Sequence, residues 1–167
     1  MIQVSVTGAL PDMNPDWGTV MDEASTIMLE GVEEIMRQGG PRELKWPPLR
    51  SGEPSRLYES GTLVGGLSKR HDEDSAEAGV YGVPYARYVQ EGGHPHVTER
   101  SKRYFWARYK DTKDPKWKYM ALQRVGTVMN IPPRPFVVWT MEMIEAVTKK
   151  IGQAIIETTS GHKYKIG

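Results

Sequence analysis

The sequence predicts an α+β fold: a small antiparallel sheet packed with two long helices, one opening and one closing the chain. Three features of its 167 residues point that way. Two stretches of about twenty residues repeat apolar side chains at helical spacing. Four short stretches bounded by turn residues read as strands, the first by strict alternation. No strand–helix–strand alternation occurs, which argues against a doubly wound nucleotide-binding sheet.

Residues 1–7 alternate, with Ile2, Val4 and Val6 set against Gln3, Ser5 and Thr7, and predict a half-buried strand. Pro11, Asn14 and Pro15 break it. Asp16 is placed to cap a helix over 16–38, whose face comprises Trp17, Val20, Ala24, Ile27, Met28, Val32 and Ile35. Gly39-Gly40-Pro41 stops that helix. Seven acidic residues and no basic one fall within 12–34, giving either a solvated face or a surface that meets a basic partner or lines a channel. Residues 41–55 contain four prolines and form an extended loop, with Trp46 anchored in its own domain or in a neighbour.

A turn-like stretch over 56–66 leads into a hairpin with strands at 67–71 and 76–81. Its tip, Asp72-Glu73-Asp74-Ser75, lies in water, with no reason for shifted carboxyl pKa values. Pro84 starts a short helical piece over 85–90, closed by Gly92-Gly93. Residues 99–124 then hold nine basic and three acidic residues among Tyr104, Phe105, Trp106, Tyr109, Trp117 and Tyr119. They read as two helices split near Asp114-Pro115. A strand is expected over 127–131, stopped by Pro132-Pro133. The second long helix is expected over 137–157, with Val138, Met141, Ile144, Val147, Ile151 and Ile155 as its stripe. One domain over 1–157, a basic-aromatic insertion at 94–128 and a flexible polar tail at 158–167 complete the expected organisation.

Composition excludes several functions. With 22 Lys+Arg against 21 Asp+Glu, the surface as a whole is not a glove for nucleic acid or membrane. Without cysteine there are no disulfides, Cys–zinc sites or thiol catalysis. No apolar run approaches the ~18 residues of a membrane span. The opening residues lack a basic signal-peptide region, so the chain is expected to stay in the cytoplasm where it is made. Seventeen Gly, twelve Pro and only two Phe indicate a thin core and many loops. Such a chain often completes its burial against neighbours.

No catalytic, cofactor-binding or metal-binding residue can be assigned, and the chain reads as a non-enzyme. His94-Pro95-His96 offers two ligands without a third nearby, whereas a structural metal site usually needs four. Ser60-Gly61 and Ser160-Gly161 lack the setting of a nucleophile elbow. The pairs Gly65-Gly66 and Gly92-Gly93 lack the Lys-Ser/Thr of a phosphate-binding loop. The basic-aromatic stretch fits either nucleic acid, through phosphates and stacked bases, or a protein surface rich in Arg, Tyr and Trp. Without a recognised nucleic-acid module the protein surface is favoured. Its basic charge could pair head to tail with the acidic helix of another copy, and such contacts close into rings.

Four motifs, in order, resemble the bacteriophage virion-morphogenesis (tail-completion) family, related to neck proteins of long-tailed phages. They are Trp46-Pro47-Pro48-Leu49; Leu57-Tyr58-Glu59-Ser60-Gly61-Thr62-Leu63; Tyr81-Gly82 with Tyr85-Ala86 and Gln90-Glu91-Gly92; and Ile131-Pro132-Pro133-Arg134-Pro135-Phe136. The resemblance covers roughly residues 16–156, with Pro133, Val137-Val138 and Arg87-Tyr88 departing from the usual residues. It is weakest over 94–128. It implies a structural virion protein of the head–tail junction or proximal tail, made in the host bacterial cytoplasm.

The implied partners are copies of the chain in a ring, expected to be a hexamer, together with a head-side connector or head-closure protein and a tail terminator or tail tube protein. DNA would pass without sequence-specific binding, and no membrane is involved. The expected interface comprises Trp46, Tyr104, Trp106, Tyr109, Trp117 and Tyr119, with Arg134 clasping its loop and Phe136 in the core. Asp22, Glu23 and Glu30 are expected to face the channel, where like charge keeps DNA from sticking. The alternatives are a DNA-binding packaging or accessory factor using residues 100–124, and an assembly factor absent from the finished virion.

Overall fold

The computed structural model describes residues 2–7, 15–48, 57 and 61–162. Their fold is α+β. Strand β1 (Ile2–Thr7) is followed by helix α1 (Trp17–Gln38), the single turn α2 (Thr62–Gly65), and strands β2 (Leu67–His71) and β3 (Ser75–Val80). The short helix α3 (Ala86–Glu91) precedes α4 (Glu99–Thr112), α5 (Pro115–Ala121) and the long α6 (Met141–His162). The sheet has the order β1-β3-β2, both pairings antiparallel, with Ile2 and Leu67 each opposite Val80.

Local chemistry sets both ends of α1. The Asp16 carboxylate accepts from the Thr19 backbone N–H at 3.2 Å and from the Thr19 hydroxyl at 2.7 Å. These bonds hold the Asp16 carboxyl below its ordinary pKa. At the other end Gly39 turns left-handed (φ 85°) and Gly40 N–H returns to the Ile35 carbonyl at 3.0 Å.

Helix α1 is the middle layer, with the sheet on one side and α6 on another. That explains why its buried residues (Val20, Met21, Ala24, Ser25, Met28, Val32, Ile35 and Met36) spread beyond one stripe. Ala76 and Ala78 of β3 are fully buried, and their small side chains leave room for the methionines of α1. On the α6 side, a Cβ on Gly31 would stand 2.7 Å from Cγ and Sδ of Met143. Gly31 therefore leaves room for Met143 of α6 to pack directly on the α1 backbone.

Three sequence expectations are corrected. The closing helix starts at Met141 instead of 137, because Thr140 caps it: Oγ1 accepts from Met143 N–H at 3.2 Å. It also continues through residues 158–162, which the sequence assigns to a tail. Residues 163–167 of that tail lie outside the described residues. The strand expected at 127–131 is only a pair of isolated bridges, Gly93 with Ile131 and His96 with Val128. Met129 N–H reaches the Pro95 carbonyl at 2.9 Å, but Pro95 has no N–H to return, so the ladder is interrupted there.

The hairpin tip is also more structured than its polarity suggests. Asp72 Oδ1 accepts from the Ser75 hydroxyl at 2.6 Å and from the backbone N–H of Ser75 and Asp74. These bonds, the Ser75 hydroxyl foremost, bring the Asp72 carboxyl down to about 2. Asp74 beside it is pushed up by its contact with Asp72.

Candidate functional site

The motif residues meet in one place. Trp46 is buried, and its indole Nε1–H donates to the Pro135 carbonyl at 3.0 Å. Gln90, at the end of α3, reaches the same segment. Its Oε1 accepts from the N–H of Phe136 at 2.9 Å and of Val137 at 3.1 Å, while its Nε2 donates to the Val137 carbonyl at 3.1 Å. One residue earlier, the Val89 carbonyl accepts from Arg134 N–H at 2.7 Å. A carboxamide used in this way substitutes for a neighbouring strand, satisfying backbone groups that the prolines leave without a ladder. Phe136, fully buried, plugs the knot, and Leu63 and Ala86 of the other two motifs lie in the same core.

Gly92 closes the knot beneath. It adopts φ 74°, and a Cβ there would lie 2.9 Å from both the Ile131 carbonyl and the Pro133 nitrogen. Only glycine suits both demands. Leu57 N–H joins the motif at 57–63 to the Met36 carbonyl at 3.3 Å, whereas residues 58–60 lie outside the described residues.

Two expectations change here. Trp46 was open to anchoring in its own domain or in a neighbour; it anchors in its own, and its ring is not exposed for a partner. The clasp expected of Arg134 is made by Gln90. The Arg134 Nε is buried without a hydrogen-bond partner among the described residues, and burial lowers its guanidinium pKa from the usual arginine range. A polar side chain in the motif quoted at 85–92 was the available signal for Gln90, since a buried amide needs partners.

The basic-aromatic stretch forms a separate hairpin. Helices α4 and α5 pack mainly on each other. They stand on a stem of paired segments, where Gly93 and Ile131 exchange N–H···O bonds of 3.0 and 2.9 Å and Val97 N–H reaches the Thr127 carbonyl at 2.9 Å. Val97, Phe105 and Ala121 are buried apart from the main core. Tyr104, Phe105 and Trp117 lie within ring-contact distance of one another, Phe105 stacked on Trp117 at 6.1 Å. Trp106 meets Tyr109 edge-on at 6.1 Å. Tyr104, Trp106 and Tyr119 remain exposed, Tyr119 by 62%. Tyr109 and Trp117 are half-buried.

The acidic helix is largely neutralised by its own chain. Lys69 Nζ sits 2.6 Å from Asp22 Oδ1 and 2.7 Å from the Thr26 hydroxyl, with His71 Nε2 3.3 Å from the same carboxylate. The Lys69 contact leads in lowering the Asp22 pKa. Glu23 pairs with Lys150 of α6 at 3.0 Å, and Glu33 with Arg37 at 2.9 Å. Glu30 is exposed.

One further surface was not foreseen. Trp139, Ile144, Val147, Thr148 and Ile151 line an open apolar groove of about 330 Å³ along α6. Only part of the expected stripe faces the core: Val147 is buried, but Ile144 is 42% exposed and Met141 more so, while Met143, outside that stripe, is buried. The signal was an excess of apolar positions on α6, more than one buried face can hold. Among the described residues no group of His, Asp and Glu is arranged to hold a metal ion, and no helix is long and apolar enough to cross a membrane.

No protein-family model matches the chain, and no curated protein or solved structure is significantly similar to it.

Proposed function

We propose that this chain is a structural protein of the bacteriophage head–tail junction, a neck or tail-completion protein that assembles as a ring between the head-side connector and the tail. The ring is most simply a hexamer, located in the virion. The observation that carries the reading is the convergence of the motifs. Trp46 and Gln90 are remote in sequence from the segment 131–137, yet hydrogen bonds tie both to it, and Gly92 packs closely against the same segment. Three of the four motifs are thus spatial neighbours, as parts of one family signature would be, and Leu63 of the fourth lies in the same core.

The surfaces support the same reading. An exposed apolar groove on α6 is suited to burial against another subunit, since large exposed apolar patches mark interaction sites. The work of such a protein is assembly, in which burial at the groove offsets the entropy lost on docking. Among the described residues Glu30 has no ion pair and Glu34 meets only the Gln38 amide, so these are available to a channel wall, whereas Asp22 and Glu23 are committed within the chain.

The test is genetic. Phage particles made without this chain are expected to accumulate as DNA-filled heads and separate finished tails, which join when purified protein is added. Intact infectious particles formed in its absence would overturn the proposal.

A further inference from the structure

Nine of the chain's 22 Lys+Arg fall within residues 99–124, with only three of its 21 Asp+Glu. Folding does not neutralise them. Among the described residues the hairpin has a single ion pair, Lys116 with Asp114 at 3.0 Å. Arg108 and Lys116 lie over the Trp117 ring at 5.5 and 5.6 Å, and Lys118 lies 6.0 Å from the Tyr109 ring. These contacts leave the positive charge in place. Arg100, Arg103 and Lys110 of α4 are all exposed and, at 100° per residue, fall within an arc of about 80° along about 15 Å of helix. Exposed Glu99 and Asp111 border this arc without an ion pair among the described residues, so the row keeps an excess of positive charge and its self-repulsion. An external polyanion would relieve it.

The counter-charge is not readily found in another copy of the chain. The acidic face of α1 is largely spent on Lys69, His71, Lys150 and Arg37. Five of the six aromatic side chains are committed to one another, because Tyr104, Phe105 and Trp117 contact each other and Trp106 contacts Tyr109, while Tyr119 is 62% exposed. Rings held edge-on and stacked among themselves brace the hairpin, leaving less free face for unpaired bases. What is offered outward is chiefly charge along α4, beside the exposed parts of Tyr104, Trp106 and Tyr119.

We infer that the α4–α5 hairpin is an arm that grips the phosphate backbone of duplex DNA without reading its sequence, with Arg100, Arg103 and Lys110 as its principal phosphate contacts. This role is independent of the head–tail reading: an arm that binds no DNA would leave the structural proposal standing, and an arm that binds DNA does not require it.

The experiment is a salt titration of the full chain against a fluorescein-labelled duplex of about 20 bp, read by anisotropy. Binding is expected to be indifferent to base sequence and to weaken linearly on a log–log plot as salt rises. The triple variant Arg100→Gln, Arg103→Gln, Lys110→Gln should bind at least about tenfold more weakly, with a salt slope smaller by about 3. A control variant, Lys149→Gln on α6, should bind within about twofold of the parent. Circular dichroism and thermal unfolding of both variants should match the parent, which separates lost contacts from lost fold.

Failure to bind duplex at low salt, or an unchanged slope in the folded triple variant, would overturn the inference. Tighter binding to single strands of the same length would do so by assigning the rings to bases. Equal affinity for polyglutamate would assign the arm to an acidic protein. Equal affinity for vesicles rich in anionic lipid would assign it to a membrane surface.

Discussion

Gln90 holds Val137 at both of its backbone groups, accepting from the N–H and donating to the carbonyl, each at 3.1 Å. With the further bond from Phe136 N–H at 2.9 Å, one half-buried side chain ties the end of α3 to the segment that leads into α6.

Losing that grip should destabilise the whole domain. Gln90→Leu removes three hydrogen bonds and strands the backbone groups of Phe136 and Val137, a cost of about 2–5 kcal/mol. Arg134→Met, which deletes a charge without a hydrogen bond at its buried Nε, should change stability by less than about 1 kcal/mol. Urea unfolding of the two variants measures the contrast. The reverse order would return the clasp to Arg134.

Trp46 separates packing from hydrogen bonding. Trp46→Phe keeps an aromatic ring but loses the bond to the Pro135 carbonyl, and should cost about 1–3 kcal/mol. Trp46→Ala also opens a cavity and should cost about 3–5 kcal/mol. Thermal unfolding would order them.

Gly92→Ala places a Cβ against two backbone atoms at a positive φ. Since the neighbours are the Ile131 carbonyl and the Pro133 nitrogen, neither a rotamer change nor a small shift relieves it. A loss of about 2–4 kcal/mol is expected from the left-handed backbone and the crowding together. Denaturant midpoints of parent and variant provide the check.

The Asp22–Lys69 pair should make part of the stability pH-dependent. Lys69, foremost, lowers the folded-state pKa of Asp22 from the ordinary 3.8. The contribution is therefore full above the unfolded carboxyl value of about 3.9 and is lost as pH falls through the lower folded value. The stability gap between the parent and Asp22→Asn should close as pH falls below about 4. Urea midpoints at several pH values between about 2.5 and 7 would reveal it, and a gap that widens on acidification would contradict it.

The apolar groove of α6 should matter for assembly more than for folding. Ile144→Asp places a charge at a position 42% exposed, so the monomer's stability should change by less than about 1 kcal/mol. The variant is expected to fold, by circular dichroism, yet fail to join heads to tails. Full joining activity would remove the groove from the interface.

The sequence was most informative where structure is set by neighbours along the chain. Asp16 and Gly39 mark the ends of α1 because a cap and a left-handed stop act within a few residues. Asp114 and Pro115 divide α4 from α5 for the same reason, the Asp114 carboxylate accepting from Lys116 N–H at 2.9 Å. The start of α6 also carries a local signal, the Thr140 cap, but the apolar spacing from Val137 onward competes with it. What holds residues 136 and 137 out of the helix is Gln90, some 46 to 47 positions away. Trp46 likewise finds its acceptor 89 residues on, so its choice between domain and neighbour depended on tertiary packing. The double burial of α1 and the exposed strip on α6 follow from layer order, which periodicity alone does not encode.

The central claim, that this chain joins head to tail, is tested most directly by locating it in purified particles. Cryo-electron microscopy of virions of the encoding phage, with the chain identified by density and its copy number measured by mass spectrometry, should place a ring at the neck or proximal tail. Absence from the particles, or a position in the capsid shell, would contradict the account.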